Sequence, residues 1–238
     1  MPDGLISNGL QYAGYSLEFG LLVLLVRNKI QRQVALFVFV STLFGVDALA
    51  RPWARLVLSR RSYYNVYWLT ELMLVLAVFL LICAFFRQAC RERREMWHFL
   101  RPTLGFVLLL VAAVSAITVG RNYEQLFSWT GFWEFTQNLY FACLVLNTVL
   151  YLMLQWLGNE DDRLHLLVCG LGIQLGGLAA SAALVHLTRK YGATSFFHYL
   201  SPLCSLAMLA IWFYALSRER GAASRRMPGP PPQLRVAA

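Results

Sequence analysis

"VYWLTELMLVLAVFLLICAFF", residues 66–86, decides the fold. Glu71 is its only charged residue, and the run is long enough to cross a hydrocarbon core about 30 Å thick as a helix rising about 1.5 Å per residue. In lipid such a run must close its own backbone hydrogen bonds, and a helix does so. Six more runs read the same way: Leu10–Val26, Val34–Ala50, Thr103–Val119, Phe135–Leu157, Leu164–Leu187 and Tyr199–Leu216.

Composition agrees. The 238 residues are 58% hydrophobic and 14% charged with a mean hydropathy of +0.54. A soluble domain is about 45–50% apolar and about 25% charged. The chain therefore reads as an all-α polytopic membrane bundle, seven transmembrane helices within residues 1–217, followed by a disordered, basic, Pro-rich tail at 218–238. "MPDGLISNG" has no basic residue and Glu18 interrupts the first run, so this run is read as a retained helix and not a cleaved signal.

Lys and Arg set the expected orientation. With the N-terminus outside, 14 of the 21 basic residues fall in cytoplasmic segments and 7 in outer ones, which favours N-out/C-in. The multi-pass chain is placed in the cell membrane, with the lipid bilayer as its first partner. The loop "RPWARLVLSRRS", residues 51–62, runs against the bias with four outer arginines. It is expected to lie on the membrane surface, Trp53, Leu56 and Leu58 dipping in while the arginines meet lipid phosphates.

The net charge of +9 is the cytoplasmic anchor set and not a nucleic-acid face, since no soluble basic domain with stacking aromatics exists here. The basic loop at 87–101 and the tail are candidate surfaces for a cytoplasmic protein partner. Five cysteines, at 83, 90, 143, 169 and 204, show no CxxC spacing and none falls in an outer loop, so neither a disulfide framework nor a metal site is expected. Juxtamembrane Cys90 is read first as an unmodified thiol, with palmitoylation as the alternative. Pro102 and Pro202 fall near the starts of the fourth and seventh runs. "CGLGIQLGGLAASAALVH" pairs Gly172 with Gly176, Gly176 with Ala180 and Ala179 with Ala183, spacings that let helices approach closely; it marks the sixth run as the central packing helix, with a homodimer seam as the alternative.

Polar residues gather at one depth. Tyr63, Tyr64, Tyr67 and Trp68 form an interfacial belt, and Glu71 lies about one turn below it. Tyr67 and Glu71 are spaced i, i+4, so the phenol is placed to donate to the carboxylate. A carboxylate facing lipid there costs on the order of 2–3 kcal/mol, so Glu71 should be protonated or face the bundle interior, its partner coming from another helix, loop two or a ligand. Asp47, Glu134, His186 and His198 sit at similar depth, with Gln137 and Asn138 continuing inward from Glu134. Gln11, Tyr15 and Glu18 make a stripe on the first run. The expected arrangement is a polar cavity open to the outer leaflet, with ligand-binding candidates Glu71, Tyr67, Trp68, Glu134, Asn138, Asp47, Tyr15, Glu18 and His186. Each also has a structural reading: Asp47 is placed to pair with Arg51 four residues on, the histidines suit interfacial hydrogen bonds, and Glu18 suits an interhelical tie.

Named chemistries fail on their residues. The lysines, Lys29 and Lys190, are both in loops, which excludes a retinal pigment, and the chain lacks HExxH, a Gly-flanked serine with a partner histidine and a Gly-rich phosphate cradle. No cofactor is expected.

The stretch "YYNVYWLTELMLVLAVFLLICAFFRQAC", residues 63–90, with its aromatic belt, W-x-x-E step and terminal Phe-Phe-Arg, resembles a group of uncharacterised bacterial integral membrane proteins of similar size and helix count. The resemblance implies a seven-helix protein of the bacterial inner membrane and carries no activity with it. From the residues themselves, a non-enzymatic small-molecule binding or sensing protein is the first expectation. A structural subunit of a larger membrane complex, or a proton-coupled carrier or intramembrane enzyme using Glu71 or Glu18, are the alternatives.

Overall fold

A computed structural model describes residues 2–27, 33–91, 94–120, 129–157, 161–188 and 194–225. Within these, the side chains of 2–8, 60–61, 94, 115–116, 118–120, 129–134, 182–188, 194–198 and 219–225 are outside the description, among them those of Glu134, His186 and His198. The elements are α1 (Pro2–Arg27), α2 (Val34–Phe44), a π-helical segment (Gly45–Ala50), α3 (Arg51–Val57), α4 (Arg60–Ala89), α5 (Arg94–Gly120), α6 (Trp129–Trp156), α7 (Asp162–Thr188) and α8 (Thr194–Arg225). No strand occurs among the described residues. Seven segments are long and apolar enough to cross a membrane, and they coincide with the seven runs; α2, the π segment and α3 together make the second, Val34–Val57.

Six helices close a ring. α1 packs on α2 and α8, α8 on α7, α7 on α6, α6 on α4, and α4 on α2. α5 stands outside, held chiefly by α6. Its Leu104 is buried, while Phe99, Phe106, Leu109 and Ile117 are exposed. The ring is filled by Leu21 and Leu25 of α1, Phe39 of α2, Ile82 and Phe86 of α4, Leu150 and Leu154 of α6, Leu171 of α7 and Trp212 of α8. Trp212 meets Phe39 edge to face at 5.7 Å and donates its indole N–H to the Leu167 carbonyl at 2.9 Å. That bond spares a buried donor a penalty of about 1–3 kcal/mol.

α7 is a central packing helix, but of its GxxxG pair only Gly172 takes part, together with Gly170 and Gly177. A methyl group on Gly170 would stand 2.8 Å from Trp212 Nε1, one on Gly177 would stand 2.5 Å from Cys204 Cβ, and one on Gly172 would stand 2.9 Å from Asn147 Nδ2. Gly170 and Gly177 admit α8; Gly172 admits α6. Gly176 has no neighbour within 4 Å, so the paired spacings through Gly176 do not make this contact.

Several features differ from the sequence reading. Loop two is mostly helical: α3 continues from the π segment, and only Leu58 and Ser59 break the chain before α4, with Ser59 Oγ accepting the Ser62 N–H at 3.4 Å as an N-cap. Pro102 and Pro202 lie inside α5 and α8, because both helices begin well before the apolar runs do, at Arg94 and Thr194. α8 runs on to Arg225, so the tail expected from Arg218 starts as helix; 226–238 lie outside the described residues. Cys90, at the end of α4, is buried, and burial pushes its thiol pKa up, which disfavours the thiolate that acylation needs.

Candidate functional site

The site is built on a helical fault. Pro52 has no N–H, and its ring would strike the carbonyl four residues back in a regular α-helix. The chain widens just ahead of it into the π segment, where the Arg51 N–H bonds to the carbonyl of Val46, five residues back. The Asp47 carbonyl thus loses its α-helical donor, Arg51, and its π-helical donor would be residue 52, the proline. Tyr15 of α1 fills the gap, its hydroxyl donating to the Asp47 carbonyl oxygen at 2.8 Å. Gln11 Nε2 in turn donates to the Tyr15 hydroxyl at 2.5 Å. A proline on one helix has created the acceptor that ties it to another.

Arg51 is the hub of the site. Its Nη1 meets Asp47 Oδ1 at 2.9 Å and its Nη2 meets Glu71 Oε2 at 2.5 Å. The guanidinium carbon lies 4.7 Å from the Tyr67 ring centroid, a cation–π contact. Glu71 Oε1 accepts the Tyr140 hydroxyl of α6 at 3.0 Å. The three charged side chains are 31%, 22% and 19% exposed for Asp47, Arg51 and Glu71, partly dry but not sealed. α1, the π segment, α3, α4 and α6 therefore meet in one connected network, at the end of the bundle that the arginine bias assigns to the outside.

Glu18 stands beside this network and does not join it. It is only 5% exposed, and its Oε2 has no hydrogen-bond partner. It follows Tyr15 by one turn on the face of α1 that meets the π segment, and Asp47 is its charged neighbour. Arg51 Nε is also buried without a partner.

The structure brings together Glu71, Tyr67, Asp47, Tyr15 and Glu18 of the expected residues. Trp68 is half-buried and edge-on to Tyr67 at 5.4 Å, and Asn138 is half-buried on α6, about half a turn before Tyr140. The side chains of Glu134 and His186 lie outside the described residues. Two expectations give way. Glu71 takes its phenol from Tyr140 and not from Tyr67, whose ring instead underlies Arg51. Arg51 turns into the bundle and not toward lipid phosphates, while Arg55 stays exposed, 5.9 Å from the Tyr63 ring centroid.

Sequence reasoning missed Tyr140 and gave Arg51 only a local role. The signal for Arg51 was present: an arginine directly before a proline, four residues after an acid, and within reach of the following helix across a short turn. Tyr140 had none, being one aromatic among many on its helix. Comparison with family models, with curated proteins and with solved structures finds no match for the chain.

Proposed function

We propose that the chain is a non-enzymatic, small-molecule binding or sensing membrane protein whose recognition centre is the Arg51 network, reached from the outer leaflet. One observation carries the reading. Three carboxyl groups from three elements gather where one guanidinium answers only two of them, and the centre still holds a buried carboxyl oxygen on Glu18 and a buried N–H on Arg51 with nothing to bond. A purely structural tie inside lipid would be expected to satisfy its own groups, because an unmet buried polar atom costs about 1–3 kcal/mol.

A ligand that competes for these groups loosens or tightens the joint between α1, α2, α4 and α6, and differential affinity for the two packings shifts their populations. α4 runs from the site into the basic stretch 87–101, which is not the expected loop but mostly helix, at the end of α4 and the start of α5; with the tail it offers an acidic cytoplasmic partner a surface of opposite charge. The bacterial inner membrane remains the proposed location, on the resemblance of residues 63–90.

The test is tryptophan fluorescence of protein reconstituted in nanodiscs, titrated with pH and with candidate ligands, in wild type and Glu71→Gln. Trp68 sits beside the network and reports on it. The variant should insert with unchanged helix content and show an altered titration. Failure of Glu71→Gln to assemble would make the acid a structural tie and remove the reading's main support.

A second reading has its own observation. Proton-coupled carriers depart from regular helix where they hold their ion, and the second span, though unbroken, widens into the π segment beside Asp47 and Glu18. Uptake of a solute into proteoliposomes driven by an imposed pH gradient, absent in Glu18→Gln, would favour it over binding alone.

A further inference from the structure

The Arg51 network is short of positive charge. Asp47 and Glu71 both lean on Arg51, and the Oε2 atom of Glu18 leans on nothing. In a low-dielectric setting a further carboxylate, from an anion or a zwitterion, would crowd the two that already share one guanidinium, even though one Arg51 N–H is free. A hard metal cation wants about six or more oxygens, yet Arg51 and Tyr140 already hold one oxygen of Asp47 and both of Glu71. The described residues contain no His, Cys, Asp and Glu grouping fit for a metal.

An alkylammonium group asks for less. It carries a single positive charge on a nitrogen with three N–H donors, and needs about three acceptors. Glu18 Oε2 is unpartnered and buried, Arg51 engages Asp47 through Oδ1 and leaves its second oxygen, and the Tyr15 oxygen lies between α1 and the π segment. We infer that Glu18 Oε2, with the second Asp47 oxygen and the Tyr15 oxygen, binds a primary ammonium group, which bridges α1 to the π segment as Arg51 bridges the π segment to α4. This rests on the proposed binding function and names its ligand class. The ammonium comes either from a free amine or from the headgroup of phosphatidylethanolamine.

The experiment uses full-length protein in phosphatidylglycerol nanodiscs, whose headgroups lack nitrogen. Thermal unfolding and tryptophan fluorescence are followed against butylammonium, against tetrabutylammonium, and with phosphatidylethanolamine blended into the disc. Saturable stabilisation by butylammonium identifies a free amine, and stabilisation by phosphatidylethanolamine alone identifies the lipid headgroup. In both cases Glu18→Gln should weaken the effect roughly tenfold or more, as expected for loss of one charged hydrogen bond. Glu18→Asp, which keeps the charge on a shorter arm, should retain part of it. Equal stabilisation by tetrabutylammonium, which has no N–H, overturns the inference, as does an effect untouched by Glu18→Gln. A response to neither amine source, with Glu71→Gln still altering the pH titration, overturns the ligand class and leaves the binding centre standing.

Discussion

A single arginine decides what the acids of this protein can be. Because Arg51 answers both Asp47 and Glu71, removing it leaves two partly buried carboxylates uncompensated, whereas neutralising Glu71 leaves a pair intact. Breaking a buried ion pair from one side costs about 3–5 kcal/mol. Arg51→Met should therefore destabilise the reconstituted protein by an amount of that order, less a discount for the partial exposure of the site. Glu71→Gln, which keeps an oxygen for Tyr140 or for Arg51, should cost only about 1–2 kcal/mol. The triple variant Arg51→Met, Asp47→Asn, Glu71→Gln should regain most of the loss, since none of the three positions then carries an unpaired charge. Denaturant unfolding of the four proteins in one mixed micelle checks this, and a triple variant as weak as Arg51→Met alone would show that packing and not charge was lost. Cys90 gives a separate residue-scale prediction. Its burial and raised pKa mean that the thiolate is scarce and screened, so maleimide near neutral pH should label it only after unfolding, with labelling rising as pH rises.

At the scale of elements, Pro52 and the α7 glycines set the joints. Pro52→Ala restores an N–H and removes the ring, so the π segment should relax toward α-helix, the Asp47 carbonyl should regain a main-chain donor, and Tyr15 should lose its acceptor. Hydrogen exchange at residues 45–52 reports the change, and Tyr15→Phe should then cost about 1 kcal/mol less in the Pro52→Ala background than in wild type. Gly177→Leu should separate α7 from α8 and lower the unfolding midpoint by the equivalent of about 1–3 kcal/mol or more, while Gly176→Leu should be tolerated. These elements also mark where the sequence was legible. The seven apolar runs were readable because lipid leaves helix as the only way to close each backbone. The π segment was not, because four arginines between two runs read as a loop unless one of them turns inward, and that turn is set by Glu71 on another helix. The glycine contacts were not, because GxxxG says only that two helices can meet closely; which glycines meet depends on how α7 rotates between Trp212 and Asn147. Within the site, Asp47, Glu71, Tyr15 and Glu18 were found from cost alone, since hydrocarbon tolerates such groups only together, whereas Tyr140 costs nothing on its own and left no trace.

For the whole molecule, the arrangement is a six-helix ring with an apolar fill, a polar network toward one end, and one helix, α5, laid against its outside. Both the proposed function and the amine site need water to reach the network from a single side, the side of the N-terminus. In a variant whose native cysteines are replaced, Asp47→Cys is exposed to a membrane-impermeant thiol reagent added from either face of oriented proteoliposomes. Labelling from the N-terminal face, absent from the other, is the expected result. No labelling from either face in a correctly inserted protein would mean that the network is a sealed tie between helices, and the binding centre would be contradicted.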